Sequence, residues 1–369
     1  MNVKTSLDMP LKLMALTVDV PQAVTHQSLL GTVAPQTYKH LFDEAGAFSR
    51  PSTVRRGITR IYTDSYQAPA LSPEMRNSEQ AARVVGLLAQ ALPQAMSQVG
   101  TILHTQCTLD QQILGSTCLR LQQAHAKAAR LTQTIGQNGT AGIAMAMQLA
   151  AVLGEQGGSS GSNDLTLIST SDKWMAPFYR RVPDVVTYGD ASAACLVQAD
   201  HEGSGLSDGA IAVIEDIVWS EAPLSEAPWA EPAELVQSRL IDWASTHVQT
   251  LMARMPAARR SQAVLMGDAY SQALSERVAQ QSRWPGELVL ASHAGRATGV
   301  HLSSASPLVA VADLLALAHQ RGQDLDAVIW VASLSGHAAA LHVRCTANAQ
   351  PIPHGWVSVG LSDDPAYCQ

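Results

Sequence analysis

Apolar and polar residues alternate along this chain in short blocks that predict alternating strands and helices. Residues 11–20 and 165–170 are short apolar runs bounded by proline, glycine or polar residues, which is typical of buried strands. Residues 78–92 carry apolar positions at helical spacing, with Ser78 as the capping residue and Pro93 after the end, which predicts a helix. The same criteria predict further strands at 101–105, 131–135, 185–188 and 195–198, and further helices at 111–129 and 141–154.

The second half of the chain repeats this order. Residues 141–168 and 305–331 share one succession of features: a turn of small residues, an apolar helix, a polar loop and an apolar strand. We interpret this as a weak internal repeat, of the kind that duplication of an α/β unit leaves behind. In this half the pattern predicts strands at 263–266, 288–291 and 327–331, and helices at 235–252, 272–279 and 307–319.

The helices that open the two repeats lack a polar face, so they must be buried on all sides. This predicts a layered α/β architecture in which helices are sandwiched between two sheets. Residues 157–162, rich in glycine and serine, predict a flexible surface loop. Residues 201–208, also rich in glycine and serine, are the best candidate for a hinge, which gives an N-terminal half of residues 1–205 and a C-terminal half of residues 206–369.

Composition restricts the classes of function. The 369 residues are 46% hydrophobic and only 15% charged, which favours a large buried interface in addition to a core. The net charge of −7 and the lack of a basic run argue against nucleic-acid binding. Five scattered cysteines without a CxxC pair are typical of reduced thiols in a cytoplasmic protein. We expect no membrane span and no signal peptide, because no apolar run is long enough.

The turn at residues 137–142 is the most informative local feature. A run of small residues changes abruptly into an apolar helix, which places Thr140 at the helix N-terminus. Free backbone N–H groups and the positive end of the helix dipole meet there, so the position suits a carbonyl oxygen or an anion.

At this turn the chain resembles the ketoacyl synthase III branch of the thiolase superfamily, in which a nucleophilic cysteine precedes Ala-Gly and an apolar helix. Thr140 stands in place of that cysteine. Arg56-Gly57-Ile58 with Arg60 resembles a Gly-Ile-x-x-Arg element of the region that binds the pantetheine arm of the carrier, and residues 189–194 resemble a Gly-Asp-Gly-Ala-Ala-Ala strand entry.

Three further positions follow in the order of the family. Asp268 stands after a strand where the family has its catalytic histidine, and His301 stands in the segment where the family has its asparagine. Gly336 falls near the glycine turn whose backbone completes the oxyanion hole. The resemblance covers nearly the full length of the chain.

The resemblance implies a thiolase-like fold, in which two pseudo-duplicated halves form an αβαβα five-layer sandwich. It also implies a homodimer joined across a continuous central sheet, with acyl-CoA or a phosphopantetheinyl acyl carrier protein as substrate and with no metal or tightly bound cofactor. The implied activity is acyl transfer in fatty-acid-like, polyketide or other secondary-metabolite biosynthesis.

The family's Cys-His-Asn triad is replaced here by Thr140, Asp268 and His301, which leaves three arrangements open. His301, oriented by Asp268, acts as the base for Thr140 or for the acceptor. Alternatively, acyl thioester and acceptor bind together, and His301 or Asp268 deprotonates the acceptor directly. In the third arrangement the protein is a catalytically silent partner of an active ketosynthase in a heteromer. Thioester hydrolysis is a lesser option, and decarboxylative condensation fits poorly because the His-Asn pair that stabilises the enolate is missing.

Other candidate residues carry a functional and a structural interpretation. Cys107 ends a strand near the site and is either a substitute nucleophile or an inert thiol. Arg180 and Arg181 either receive a coenzyme A phosphate or an acidic carrier helix, or belong to a solvated loop. The structural interpretation of Thr140 is a helix cap, and that of Asp268 is a turn residue or helix cap. The structural interpretation of His301 is a core histidine whose ring nitrogens are hydrogen-bonded. We interpret His337 as structural.

Overall fold

The computed structural model of this chain describes residues 4–5, 7, 9–25, 67–69, 75–108, 110, 115–157, 165–174, 181–182, 184–201, 203, 205–221, 231–268, 270–289 and 300–358. The strands are β1 (Lys4–Thr5), β2 (Leu11–Asp19), β3 (Ala23–Thr25), β4 (Gln67–Pro69), β5 (Val99–Gln106), β6 (Leu131–Gly136), β7 (Leu165–Asp172), β8 (Arg181–Val182), β9 (Val186–Tyr188), β10 (Ala191–Ala199), β11 (Ala212–Glu221), β12 (Val264–Gly267), β13 (Glu287–Val289), β14 (Val300–His301), β15 (Leu325–Ala332), β16 (His337–Cys345), β17 (Gln350–Ile352) and β18 (Gly355–Val357). The helices are α1 (Asn77–Ala91), α2 (Pro93–Ser97), α3 (Thr117–His125), α4 (Gly142–Gly157), α5 (Ala233–Arg254), α6 (Ala257–Arg260), α7 (Gln272–Ser282) and α8 (Ser306–Arg321), with short 3₁₀ turns at Gly139–Ala141, Gly205–Asp208 and Ser303–Ala305.

The main sheet is built from two halves with the same topology. The N-terminal half has the order β2-β10-β7-β5-β6, and the C-terminal half has the order β11-β16-β15-β12-β13. In each half the first two pairings are antiparallel and the next two are parallel. The two halves are joined where β11 pairs with β2 over residues 212–214.

The internal repeat predicted from the sequence is present at the level of individual elements. In the N-terminal half, the three-residue turn Gly139–Ala141 leads into the 16-residue helix α4 and then into the eight-residue strand β7. In the C-terminal half, Ser303–Ala305, α8 and β15 have the same three lengths. Equal lengths place the two helix N-termini at equivalent points of the two halves.

Three apolar clusters define five layers. Helices α4 and α8 pack between the two half-sheets in the largest cluster, which includes Ile143, Met147 and Leu308. A second cluster packs α1 and α3 on the outer face of the N-terminal half-sheet, and a third packs α5 and α7 on the outer face of the C-terminal half-sheet. The order is therefore helix, sheet, helix, sheet, helix, which confirms the five-layer fold that the resemblance implied.

Strand β10 shows why its sequence lacks a polar face. Ala193 and Cys195 point into the central cluster, whereas Ala194 and Leu196 point into the outer one. Because successive side chains of a strand point to opposite faces, a strand between two helix layers must be apolar at both.

Several element ends differ from the sequence-based predictions. The helix predicted at 111–129 is observed only as α3, because the hydroxyl of Ser116 caps it by accepting a hydrogen bond from the Leu119 N–H at 3.3 Å; residues 111–114 lie outside the described residues. Helix α1 begins after Arg76 rather than at Ser78, and the Arg76 N–H donates to the Glu79 carboxylate at 2.8 Å. Pro93 opens α2 instead of ending the segment, since proline is accommodated at the first position of a helix.

The predicted hinge at 201–208 contains the 3₁₀ turn Gly205–Asp208, which is anchored to the sheet. Asp200 is buried, lies 3.2 Å from the ammonium of Lys12 and accepts a hydrogen bond from the Gly205 N–H at 2.8 Å. The predicted loop at 157–162 lies outside the described residues except for Gly157, which ends α4.

Replacing Gly267 by alanine tests the packing between neighbouring strands. A Cβ at Gly267 would overlap the buried indole of Trp330 on β15, so we expect Gly267→Ala to lower the free energy of unfolding by about 1–3 kcal/mol. Gly136→Ala is the matched control, because a Cβ there meets nothing within 4 Å. Urea unfolding followed by circular dichroism would measure both, and equal midpoints would contradict the packing argument.

Candidate active site

The candidate site lies where the two central helices begin. The turn at 139–141 contacts the turn at 303–305 and also the ends of β15 and β16. Two pairs of parallel strands end on this side of the molecule. One pair is β5 and β7 in the N-terminal half-sheet, and the other is β12 and β15 in the C-terminal half-sheet. The equal lengths of the two repeats thus bring residues from distant parts of the sequence to one place.

Thr140 lies inside this contact and is almost fully buried. Its hydroxyl has no hydrogen-bond partner among the described residues, and the turn is not capped by a side chain. Gly139 before it has φ of 56°, and a Cβ at this position would overlap the hydroxyl of Ser333. The turn is therefore held tightly against residues 333–335, and Thr140 does not serve as a helix cap.

Asp268 and His301 form a buried pair. His301 Nε2 lies 3.0 Å from Asp268 Oδ2, although the ring N–H is not directed along the line of a good hydrogen bond. The same carboxylate oxygen accepts a hydrogen bond from the Ala332 N–H at 3.3 Å. The second oxygen, Oδ1, is buried and has no hydrogen-bond partner among the described residues.

The second nitrogen of His301 is also engaged. Nδ1 accepts a hydrogen bond from the Ser303 N–H at 2.9 Å, which assigns the proton of the neutral ring to Nε2. A relay through histidine needs one ring nitrogen on the acid and the other on the hydroxyl. In this geometry Nδ1 of His301 is occupied by the Ser303 N–H and Nε2 faces Asp268, whose Oδ1 is an unused proton acceptor among the described residues.

Aromatic rings enclose His301. Tyr188 and Tyr270 contact it edge-on, with ring centroids 5.2 Å and 4.7 Å away, and Trp174 stacks on Tyr188 at 4.2 Å. Tyr270 donates a hydrogen bond to the Ala332 carbonyl at 2.6 Å, and the Trp174 indole donates to the Ser303 hydroxyl at 2.8 Å. Burial raises the pKa of both tyrosines, so both phenols stay neutral. We did not predict these aromatic residues from the sequence, although Tyr270 stands two positions after Asp268.

Asp172, at the end of β7, joins the two halves of the site. Its Oδ1 accepts hydrogen bonds from the N–H groups of Cys107 and Thr108, both at 2.7 Å, and from the Thr108 hydroxyl at 3.0 Å. Its Oδ2 accepts from the N–H and the hydroxyl of Ser304, at 2.9 and 2.5 Å. Burial raises the pKa of Asp172, and the hydrogen bonds from Ser304, Thr108 and Cys107 oppose that shift. The sequence analysis missed this residue; its position at the end of an apolar strand was the available signal.

Cys107 comes directly after β5, and its side chain is partly exposed. Burial of the sulfur and the neighbouring Asp172 carboxylate raise the pKa of the thiol well above its ordinary value, and Asp268 adds to the shift. A thiol with a raised pKa forms little thiolate, so this environment favours the interpretation of Cys107 as an inert thiol.

The remaining predicted residues are distributed as follows. Gly336 has φ of 90°, and its N–H donates to the Ser333 carbonyl at 3.0 Å within its own turn. Arg181 begins β8, which pairs with β9. Arg56, Arg60 and Arg180 lie outside the described residues, as does most of the Gly-Ile-x-x-Arg region.

The described residues lack the features of two further classes of site. They contain no group of three or more histidine, cysteine or acidic side chains placed to hold a metal ion. Within the same residues, no helix combines the length and the apolar character that crossing a membrane requires.

Several solved structures share the fold of this chain. No family model and no curated protein sequence matches this chain. FabH, the 3-oxoacyl-(acyl carrier protein) synthase III from Pseudomonas aeruginosa, matches with a TM-score of 0.59 at 15% identity, over 93% of this chain and 99% of that one. ChlB3, described as an acyltransferase, matches with a TM-score of 0.60 at 12% identity, over 91% and 98%. A variant of OleA from Xanthomonas campestris matches with a TM-score of 0.61 at 13% identity, over 92% and 99%. The chain therefore has the thiolase-like fold of these enzymes.

Alkylation tests the environment of Cys107. Because its thiol pKa is raised, we expect iodoacetamide at pH 8 to modify Cys107 in the folded protein at least tenfold more slowly than in the urea-unfolded protein. Peptide mapping by mass spectrometry measures the rate at this one residue. Equal rates in the two states would show a reactive thiolate and restore Cys107 as a candidate nucleophile.

Proposed function

We propose that this protein is a cytoplasmic acyltransferase that takes an acyl group from a thioester of coenzyme A or of a phosphopantetheinyl acyl carrier protein. The acceptor is a hydroxyl, an amine or a carbon nucleophile, in fatty-acid-like or polyketide biosynthesis. The observation that carries the proposal is the buried Asp268–His301 pair beside the Thr140 turn. The shared fold also supports the proposal, because the structures with this fold include those described as FabH, as ChlB3 acyltransferase and as AbyA1, a tetronic acid condensing enzyme.

The geometry favours direct participation of the acceptor. Among the described residues, Asp268 Oδ1 is buried and has no hydrogen-bond partner, so it can accept the proton of an acceptor O–H or N–H group. The acceptor then attacks the thioester carbonyl, the new C–O or C–N bond forms, the C–S bond breaks, and the proton passes from Asp268 to the departing thiolate. In this arrangement His301 and the Ala332 N–H hold the other oxygen of Asp268 in place.

Thr140 has a different role in this scheme. Threonine does not ionise near neutral pH, and this one has no base as a partner. Its place at the start of α4 allows the hydroxyl and the helix N-terminus to stabilise the negative charge that develops on the carbonyl oxygen.

A second candidate function is that of a catalytically silent partner of an active ketosynthase. The observations in its favour are that Nδ1 of His301 already accepts a hydrogen bond from the Ser303 N–H and that the thiol of Cys107 has a raised pKa. A protein that has kept the fold and lost the nucleophile would have this geometry. Hydrolysis of the thioester is the third option, with water as the acceptor.

We also propose that the protein assembles as a dimer, either with a second copy or with a ketosynthase of the same fold. Strand β6 is the last strand of its half-sheet and pairs only with β5 among the described strands. Its side chains alternate between exposed and half-buried, and Leu131 is 40% exposed. An open edge with exposed apolar residues is suited to pairing with another chain.

Release of free thiol from acyl-CoA or acyl carrier protein, in the presence of candidate acceptors, tests the acyltransferase proposal. We expect the wild-type protein to release thiol in an acceptor-dependent way and Asp268→Asn to reduce the rate by about 10²-fold or more, because the amide cannot take the proton. Asp326→Asn is the matched control. Asp326 also contacts a histidine, His342 at 2.9 Å, but lies near the opposite end of β15.

The outcomes separate the three functions. Thiol release that does not depend on any acceptor would identify a hydrolase. No release from any thioester, together with activation of a co-expressed ketosynthase, would identify the silent partner and rule out the acyltransferase.

Substitution at the edge strand tests the dimer. We expect the wild-type protein to have twice the single-chain mass of 39.1 kDa in light scattering, and Leu131→Lys to reduce the mass to that of one chain. Leu235→Lys is the control, because Leu235 is similarly exposed, at 44%, but lies on the outer helix α5. A wild-type protein of single-chain mass would contradict self-association.

A further inference from the structure

The turn at residues 333–337 places two serine hydroxyls against the Thr140 turn. It connects β15 to β16 and is closed by a hydrogen bond from the Ser333 N–H to the His337 carbonyl at 2.8 Å. A Cβ at Gly139 would lie 2.7 Å from the hydroxyl oxygen of Ser335. The Ser335 hydroxyl is therefore next to the residue that precedes Thr140 in the chain.

Ser335 is the first member of a hydroxyl–imidazole–carboxylate series. Its O–H donates a hydrogen bond to the Ser333 hydroxyl at 2.9 Å, and the same Oγ lies 3.2 Å from Nδ1 of His337. On the other side of the ring, His337 Nε2 lies 4.0 Å from a carboxylate oxygen of Glu221, which is the cross-strand neighbour of His337 on β11. Ser335 and His337 have the composition of a nucleophile and its base. Glu221 at 4.0 Å is too far for a hydrogen bond and acts on the imidazole through its charge.

Exposure separates Ser335 from Thr140. Ser335 is exposed, whereas Thr140 is about 1% exposed and has no hydrogen-bond partner. Burial lowers the pKa of His337, while Glu221 and the backbone of Ser335 oppose that shift. The lowered pKa favours the neutral imidazole of His337, which can accept a proton, whereas Nδ1 of His301 already accepts a hydrogen bond from the Ser303 N–H.

We infer that Ser335 is the residue that becomes acylated, with His337 as its base, at the site where the proposed acyl transfer takes place. The inference rests on that proposed function for its substrate, an acyl thioester. Ser335 Oγ attacks the thioester carbonyl, a C–O bond forms and the C–S bond breaks. The serine proton passes to His337 Nδ1 and then to the thiolate, which leaves as a free thiol. The acceptor, or water, then attacks the ester, gives its proton to His337 and releases the serine, which takes that proton back.

This assignment differs from direct transfer through Asp268 in one respect. It places a covalent intermediate on the C-terminal half of the chain, on the turn that follows β15. Asp268 still contacts the Ala332 N–H one residue before this turn, so both groups are held by the end of the same strand.

A fluorophosphonate probe tests the inference without an acyl substrate, because it reacts with an activated serine by forming a P–O bond and releasing fluoride. We expect the probe to label Ser335 in the folded protein, Ser335→Ala to remove the label, and His337→Gln to slow labelling at least 100-fold. Ser97 is the matched reference: it is exposed, and its hydroxyl donates only to the Gln94 carbonyl, at 2.6 Å. Thermal unfolding of each variant confirms that it is folded.

The outcomes separate this inference from the proposed function. Labelling of Ser335 no faster than that of Ser97, or labelling that does not depend on His337, overturns the inference. Acceptor-dependent thiol release that is undiminished in Ser335→Ala also overturns it and leaves the acyltransferase proposal standing. His337-dependent labelling of Ser335 in a protein that releases no thiol from any thioester supports the activated serine and removes the acyltransferase proposal.

Discussion

The carboxylate of Asp172 is the interaction on which the arrangement of the site depends. It accepts hydrogen bonds from Cys107 and Thr108 in the N-terminal half and from Ser304 in the C-terminal half. A buried carboxylate is costly unless its oxygens are satisfied, and here each oxygen has at least two donors. Because Ser304 belongs to the turn that follows His301, the same carboxylate fixes the approach of the two half-sheets and the position of the histidine. Loss of this one group would leave several buried N–H and O–H donors unsatisfied at the centre of the molecule.

The architecture was predictable because the burial of each layer dictates the pattern of apolar residues in its helices and strands. Helices α4 and α8 have no polar face, and a helix without a polar face must lie between two sheets. Strands β11 and β16 were not predicted. Strand β16 includes Ala338, Ala339 and Ala340, and alanine favours helices over strands; pairing with β11 and β15 overrides that local preference. Element ends such as the start of α3 depend on one capping hydroxyl, which a periodic pattern does not reveal.

The candidate site was predictable only in part. The resemblance to the family selected Asp268 and His301, which the fold brings to 3.0 Å. Asp268 comes directly after β12 of the main sheet, and His301 ends β14, which pairs with β9 in the three-stranded sheet. The orientation of the imidazole was not accessible, since it is set by one backbone N–H of Ser303. The enclosing rings also carry no shared sequence signal, because Tyr188 ends β9 and Tyr270 lies just before α7. What the sequence could identify was therefore which residues meet, and what it could not identify was which of their atoms remain available.

The contact between the 139–141 and 303–305 turns has an electrostatic consequence. Each turn begins a 16-residue helix, and the start of such a helix carries roughly half a positive elementary charge. Two helix starts in contact therefore create a region of positive potential equivalent to about one full charge, and the backbone supplies it. This potential offsets the desolvation of Asp172, and it extends to any anion that forms nearby. Because this field comes from the backbone, side-chain substitutions at Thr140, Asp268 or His301 leave it in place.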